Sequence, residues 1–242
     1  MSSNNPSITV SDIAEEVEER LDNPGIDTTT YLPWISYAYQ RTFKALMKGG
    51  QRVKEALFED NATIDLTTST LEITITTQIP RFGGIVKVEV KYGLSTDEWN
   101  DADNLGSSSH WRNLHNVSTT YRSKTEPLYL QSGTKLMIIP VPPEDGATAY
   151  IRYIKRPYQL TAGGDVIDLP YRYLDPLINY VQARAIERDN EDYAVGRQID
   201  GKFLLELDQL VEDAVSEFIN ENDGSSNVSV PSDSALFADP LG

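Results

Sequence analysis

Cysteine is absent from the 242 residues, which excludes disulfides, thiolate metal sites and cysteine nucleophiles. Histidine is scarce. The two present, His110 and His115, are five apart in a serine-rich stretch. Five is neither a helical turn nor an even step along a strand, so the pair reads as surface loop residues, not as metal ligands. Long apolar runs are missing too: nowhere do about 18 uninterrupted apolar residues occur, so no segment is expected to span a bilayer. The opening MSSNNPSITVSDIAEEVEER has no basic stretch followed by an apolar one, and no signal peptide is expected. Basic charge is short: 21 Lys and Arg stand against 37 Asp and Glu, a net charge of −16. Affinity for phosphates comes from Lys and Arg displacing counterions, so this is a poor nucleic-acid binder. An acidic wall can nevertheless surround nucleic acid without gripping it.

The signatures of catalysis are equally thin. There is no P-loop, no GxGxxG after a strand, no GxSxG elbow and no HExxH. Glu15, Glu16, Glu18 and Glu19, like Glu206, Asp208, Glu212 and Asp213, read as solvated helix faces. No two carboxylates are singled out to face each other across a cleft, as glycoside hydrolysis requires. Trp99 and Trp111 could stack sugars, but aromatics in a β domain are more often core. The expectation is a non-enzyme with no catalytic residue, cofactor or metal site.

What is there is a sharp segmentation, with 39% apolar residues to build a core. Thr9 and Asp12 have capping-box spacing, Ile8 and Ile13 that of a hydrophobic staple, and Ile13, Val17 and Leu21 make one helical stripe. Asn23-Pro24-Gly25 ends this helix. A second is expected from about Tyr31 to Lys48, capped by Thr30 and stopped by Gly49-Gly50. Its apolar face comprises Trp34, Ile35, Ala38, Tyr39, Thr42, Phe43 and Leu46.

From about Asn61 the period becomes two. Leu71, Ile73 and Ile75 alternate with polar residues, as do Val86, Val88, Val90 and Tyr92. Further strands are expected at Pro127–Gln131, Lys135–Val141 and Thr148–Lys155. The hairpin loop Gln131–Thr134 joins the first two, and the proline-rich turn Val141–Gly146 follows. Ser95–Ser123 reads as a long excursion. Helix resumes at Asp175-Pro176, a strong start, with Leu177, Ile178, Tyr180, Val181 and Ala185 on one side. A rod from about Asp192 to Asn220 carries Ile199, Phe203, Leu207, Leu210, Ala214 and Phe218 in one stripe. Leu204, Val211, Val215 and Ile219 widen it.

Helices apolar on one side need partners, so the two ends of the chain are expected to pack together. The fold class is α+β: a helical bundle from N- and C-terminal helices (1–58 and 166–222) with an inserted antiparallel β-sandwich or small barrel (59–165). Residues 223–242 form an extended C-terminal tail, too polar to fold by itself but ending with Leu236-Phe237 and Pro240-Leu241. That segment is either a plain terminus or one that orders on a partner.

The order of these pieces resembles the head-to-tail adaptor (connector, neck) proteins of tailed bacteriophages. The resemblance lies in Pro127-Leu128-Tyr129 leading to KLMIIPVP, then AYIRYIKRPYQLT, then DVIDLPYRYLDPLINYVQARAIERDNEDYA and a helix ending FLLELDQL, preceded by YLPWISYAYQRTFKAL. It implies a structural virion protein assembled in the host cytoplasm and placed in the neck between capsid and tail. There it would form a homo-oligomeric ring, commonly a dodecamer, continuing the DNA exit channel so that viral DNA passes without specific binding. Partners would be the portal protein and tail or nozzle proteins, with Leu236, Phe237, Pro240 and Leu241 as portal anchors. The alternatives are a glycan- or protein-binding β-sandwich module of a virion or tail, and an acidic hydrolase.

Overall fold

The computed structural model describes residues 8–21, 28–67, 72–93, 98–106, 124–140, 146–190 and 193–220, with backbone alone at 189–190, 193–197 and 219–220. The chain opens with β1 (Ile8–Thr9) running into α1 (Val10–Leu21). The capping box is in place: the Thr9 N–H donates to Asp12 Oδ2 at 2.6 Å, and the Asp12 N–H donates to Thr9 Oγ1 at 3.2 Å. Helix α2 (Thr28–Leu46) starts a turn before its expected cap, so Thr30 lies inside it, and Pro33 sits near enough to the start to be tolerated. Its buried residues are Tyr31, Ile35, Ala38, Tyr39, Thr42, Phe43 and Leu46, with Trp34 half-buried.

A further helix, α3 (Gln51–Phe58), follows the Gly49-Gly50 break and was not anticipated. Eight residues are too few to be stable by propensity. Packing holds it: Val53 and Phe58 are buried against α2 and the C-terminal rod, and the Phe58 ring lies 4.1 Å from that of Phe43.

Ten strands in all are described, β1 included. β2 (Glu59–Leu66), β4 (Phe82–Lys91), β5 (Asn100–Asp101) and β9 (Ala147–Lys155) form one four-stranded sheet in the order β2-β9-β4-β5. β3 (Glu72–Thr74), β6 (Asp103–Asn104), β7 (Leu128–Ser132) and β8 (Lys135–Ile139) form another, ordered β3-β8-β7-β6. The expected strand through Ile75 stops at Thr74, because Ile75–Gln78 makes a single helical turn, α4. The hairpin between β7 and β8 is tighter than expected. Ser132 pairs with Lys135, leaving Gly133 and Thr134 as the turn, with Gly133 at φ +60° where a side chain would be strained.

Pairing is antiparallel throughout, except where β6 runs parallel to β7 over two residues at the sheet edge. Near the start of β4, a Cβ on Gly83 would stand 2.6 Å from the Ile154 carbonyl oxygen, beside a register shift. Only glycine allows the strands so close. Ile64, Leu66, Ile73, Val88, Val90, Tyr129, Leu136, Ile138, Ala149 and Ile151 from both sheets share one buried cluster, the arrangement of a sandwich.

After β10 (Val166–Ile167), which pairs with β1, a short 3-10 turn leads into α5 (Asp175–Asn190) and α6 (Tyr193–Asn220). α6 continues through Gly196 and Gly201 without a break; its 28 residues make a rod of about 42 Å. A second buried cluster collects Ile13 and Val17 of α1, Ile35 and Phe43 of α2, Leu177 and Val181 of α5, and Phe203 and Leu207 of α6. Helices from both ends of the chain therefore share one apolar core. The architecture is α+β with antiparallel sheets, as the periodicities implied.

Candidate assembly surfaces

The two cores meet at β9. Tyr153 belongs to the sheet core and its neighbour Ile154 to the helical one, so the strand's alternating faces serve both. Around this boundary the chain gathers a dense polar cluster. The Asp168 carboxylate, just beyond β10, accepts from the Tyr39 hydroxyl of α2 and from Arg81 Nη2, and Lys155 Nζ of β9 stands 3.6 Å away. The Arg81 guanidinium lies 3.6 Å over the Tyr158 ring, and its Nε donates to the Arg156 carbonyl at 2.8 Å. Gln40 of α2 donates to the Tyr158 carbonyl at 2.6 Å. Side-chain exposure is 18% for Arg81 and 15% for Asp168.

Burial pushes the Tyr39 hydroxyl well above its ordinary value, and the Asp168 charge adds to it. Burial works against the Arg81 charge, but its bond to Asp168, the Asp168 charge and the nearby phenols together outweigh this, and the guanidinium is held more firmly protonated. Every group here is engaged by another, so the cluster fixes helices to sheet and leaves no free acid or base.

A second polar knot holds α5 to α6. Arg184 pairs with Glu187 and with Asp200, and its Nε donates to the Tyr180 hydroxyl at 3.0 Å. At the other end of the helix pair Arg172 bonds Glu217, which also accepts from the Tyr173 hydroxyl at 3.1 Å. Burial raises that hydroxyl to about 12, with the Glu217 charge contributing and Arg172 opposing. Between the helices lies an open groove of about 280 Å³ lined by Arg172, Asp175, Asn179, Glu206, Leu210 and Asp213. It is shallow and solvated. Among the described residues no group of His, Asp and Glu is placed to hold a metal, and no helix is long and apolar enough to cross a membrane.

The outward surfaces are more informative. On α6 the stripe Ile199, Phe203, Leu207, Leu210 and Ala214 is buried, whereas Leu204 and Leu205 are 50% and 71% exposed, and Val211 and Val215 are only half-covered. The widened stripe thus splits, one half in the core and the other on the surface. Trp99, taken from the sequence as a core aromatic, is 45% exposed, its ring centroid 6.0 Å from that of Tyr150 on the outer face of its sheet. The short β5 strand beside it supplies no second layer to cover the indole. His110, His115 and Trp111, and the tail residues Leu236, Phe237, Pro240 and Leu241, lie outside the described residues.

Helices from both ends of the chain thus share one core, and α6 turns apolar residues outward. Compared with known protein families, residues 8–231 match the family described as SU10 adaptor protein. The chain belongs to this family. No curated protein matches it. Membership in the SU10 adaptor protein family carries a structural adaptor role in a bacteriophage and a place in the virion neck. The exposure of Leu204 and Leu205 on α6 and the clusters at Asp168 and Arg184 are features that sequence reading did not single out. An apolar stripe too wide for one partner was the available signal for the first.

Proposed function

We propose that this SU10 adaptor protein is one subunit of a closed ring, in the family manner a dodecamer, that joins the portal to the tail and continues the DNA exit channel. In this reading 1–58 and 166–222 act as one helical bundle that makes the side-by-side contacts, and 59–165 is an insertion projecting from it. The portal binds on one side, tail or nozzle proteins on the other, and the protein does no chemistry. Viral DNA passes without specific binding, consistent with a net charge of −16 that repels phosphate. The match of residues 8–231 to an adaptor family carries the proposal. Segment 223–242 reaches the portal, with Leu236, Phe237, Pro240 and Leu241 as its apolar anchors.

The test is truncation after Asn222. Capture by immobilised portal should be lost while far-UV circular dichroism stays unchanged; undiminished capture rejects the tail assignment. Imaging of the portal-bound protein should give a closed ring on the portal axis, and a single bound copy rejects the ring.

The exposed Trp99 beside Tyr150 supports a second reading, in which the sheet face binds glycans by stacking. Binding on a glycan array that disappears in Trp99→Ala would favour it over the adaptor ring.

A further inference from the structure

The acidic excess of the chain is not evenly spread. Between Asp27 and Glu55 there is no acidic residue, while Arg41, Lys44, Lys48, Arg52 and Lys54 fall within this stretch. Residues 41, 44 and 48 recur at the spacing of one helix face, so they line the outer side of α2 and the turn that follows it. Arg41, Lys44, Lys48 and Arg52 are exposed. The α6 rod shows the converse surface: Leu204, Leu205, Asp208 and Glu212 follow one another at helical spacing, all exposed, opposite the buried stripe. Among the described residues Lys44, Lys48, Asp208 and Glu212 form no ion pair, whereas elsewhere along α6 Lys202 pairs with Glu206, Asp200 with Arg184 and Glu217 with Arg172. Two faces of opposite sign on one chain are thus both unmatched, and they do not meet within it.

We propose that the basic outer face of α2 in one copy seats on the acidic, leucine-bearing outer face of α6 in the next. This rests on the ring reading above and specifies the contact that closes it. The two faces match in length, since 41–48 and 205–212 each extend about 10 Å along a helix. A contact between different patches repeats head to tail, the kind that generates rings, whereas a patch matched to itself stops at a dimer. A DNA duplex would answer the basic face alone. It would leave Leu204 and Leu205 in water and Asp208 and Glu212 unmatched, so a second copy accounts for more of the surface.

The test is charge reversal in the full chain, assayed by sedimentation and by copies retained on immobilised portal. Lys44→Glu with Lys48→Glu, and separately Asp208→Lys with Glu212→Lys, should each weaken assembly about tenfold or more. An equimolar mixture of the two double variants should restore it, because an alternating ring again opposes unlike charges at every contact. That restoration also excludes misfolding as the cause of the loss. If the wild type assembles and neither reversal affects it, the assigned faces are wrong and the ring reading stands. Reversal of Lys44 and Lys48 that abolishes retention of a short DNA duplex but leaves assembly intact assigns the basic face to nucleic acid and overturns the proposal. A wild type that stays monomeric even on the portal removes the ring reading itself, and this contact with it.

Discussion

Replacing Asp168 by alanine is the sharpest test of how helices and sheet are joined. The carboxylate is 15% exposed and serves Tyr39, Arg81 and Lys155 at once. Its removal leaves two cations mostly out of water and one phenol without its acceptor. Truncating one partner of a fully buried pair costs about 3–5 kcal/mol, and the residual solvent access here brings the expectation down to about 2–4 kcal/mol. Asp168→Asn keeps the shape and one acceptor, and should cost about half as much. Urea unfolding followed by circular dichroism gives the difference directly, provided the slope against denaturant is unchanged. Arg81→Ala also loses the stacking on Tyr158, so the pair term is best isolated by a double-mutant cycle, with an expected coupling of about 1–3 kcal/mol. A loss under about 1 kcal/mol in Asp168→Ala, or simple additivity in the cycle, would refute the argument that this cluster anchors the two parts.

Three other perturbations follow from the same packing. Thr42 is fully buried and its hydroxyl has no hydrogen-bond partner among the described residues, so Thr42→Val should stabilise by about 1 kcal/mol, read as a raised Tm. Leu207→Ala should cost about 2–5 kcal/mol, whereas Leu205→Ala should stay within about 0.5 kcal/mol, and matched urea melts compare them. Because burial raises the Tyr173 hydroxyl from near 10 to about 12, the folded state holds that proton more tightly than the unfolded state. The resulting stability is complete below about pH 10 and is lost as pH climbs through about 12, with Tyr39 acting in the same direction. Unfolding midpoints measured across that window should fall steeply, and a flat profile would contradict the burial of these phenols.

The helical faces were legible from periodicity because each turns one apolar stripe toward a common core. Ile35, Ala38, Tyr39, Phe43 and Leu46 of α2, and Leu177, Ile178, Val181 and Ala185 of α5, are buried as their spacing requires. α3 was missed because nothing local stabilises it. Its order comes from Phe43 and from α6, which sequence spacing does not bring near. Trp99 was misjudged for a related reason: hydrophobicity identifies what prefers burial, but the edge position that leaves it uncovered depends on how far β5 extends. The Asp168 cluster combines residues from α2, β9 and three connecting segments, and no motif links them. The anchors placed in the tail lie outside the described residues, and the truncation after Asn222 tests them.

The shared helical core also sets a clock on biosynthesis. Tyr39 and Asp168 are 129 residues apart in the chain, so α2 leaves the ribosome long before the carboxylate and the α5 helix that complete its surroundings exist. At about 5–20 residues per second, that interval is on the order of ten seconds. Throughout it Ile35, Tyr39 and Phe43 have no α5 or α6 to bury them. The nascent polypeptide must therefore keep these side chains from foreign contacts until translation is nearly finished, and premature termination before residue 175 would release a sticky fragment rather than a smaller working subunit.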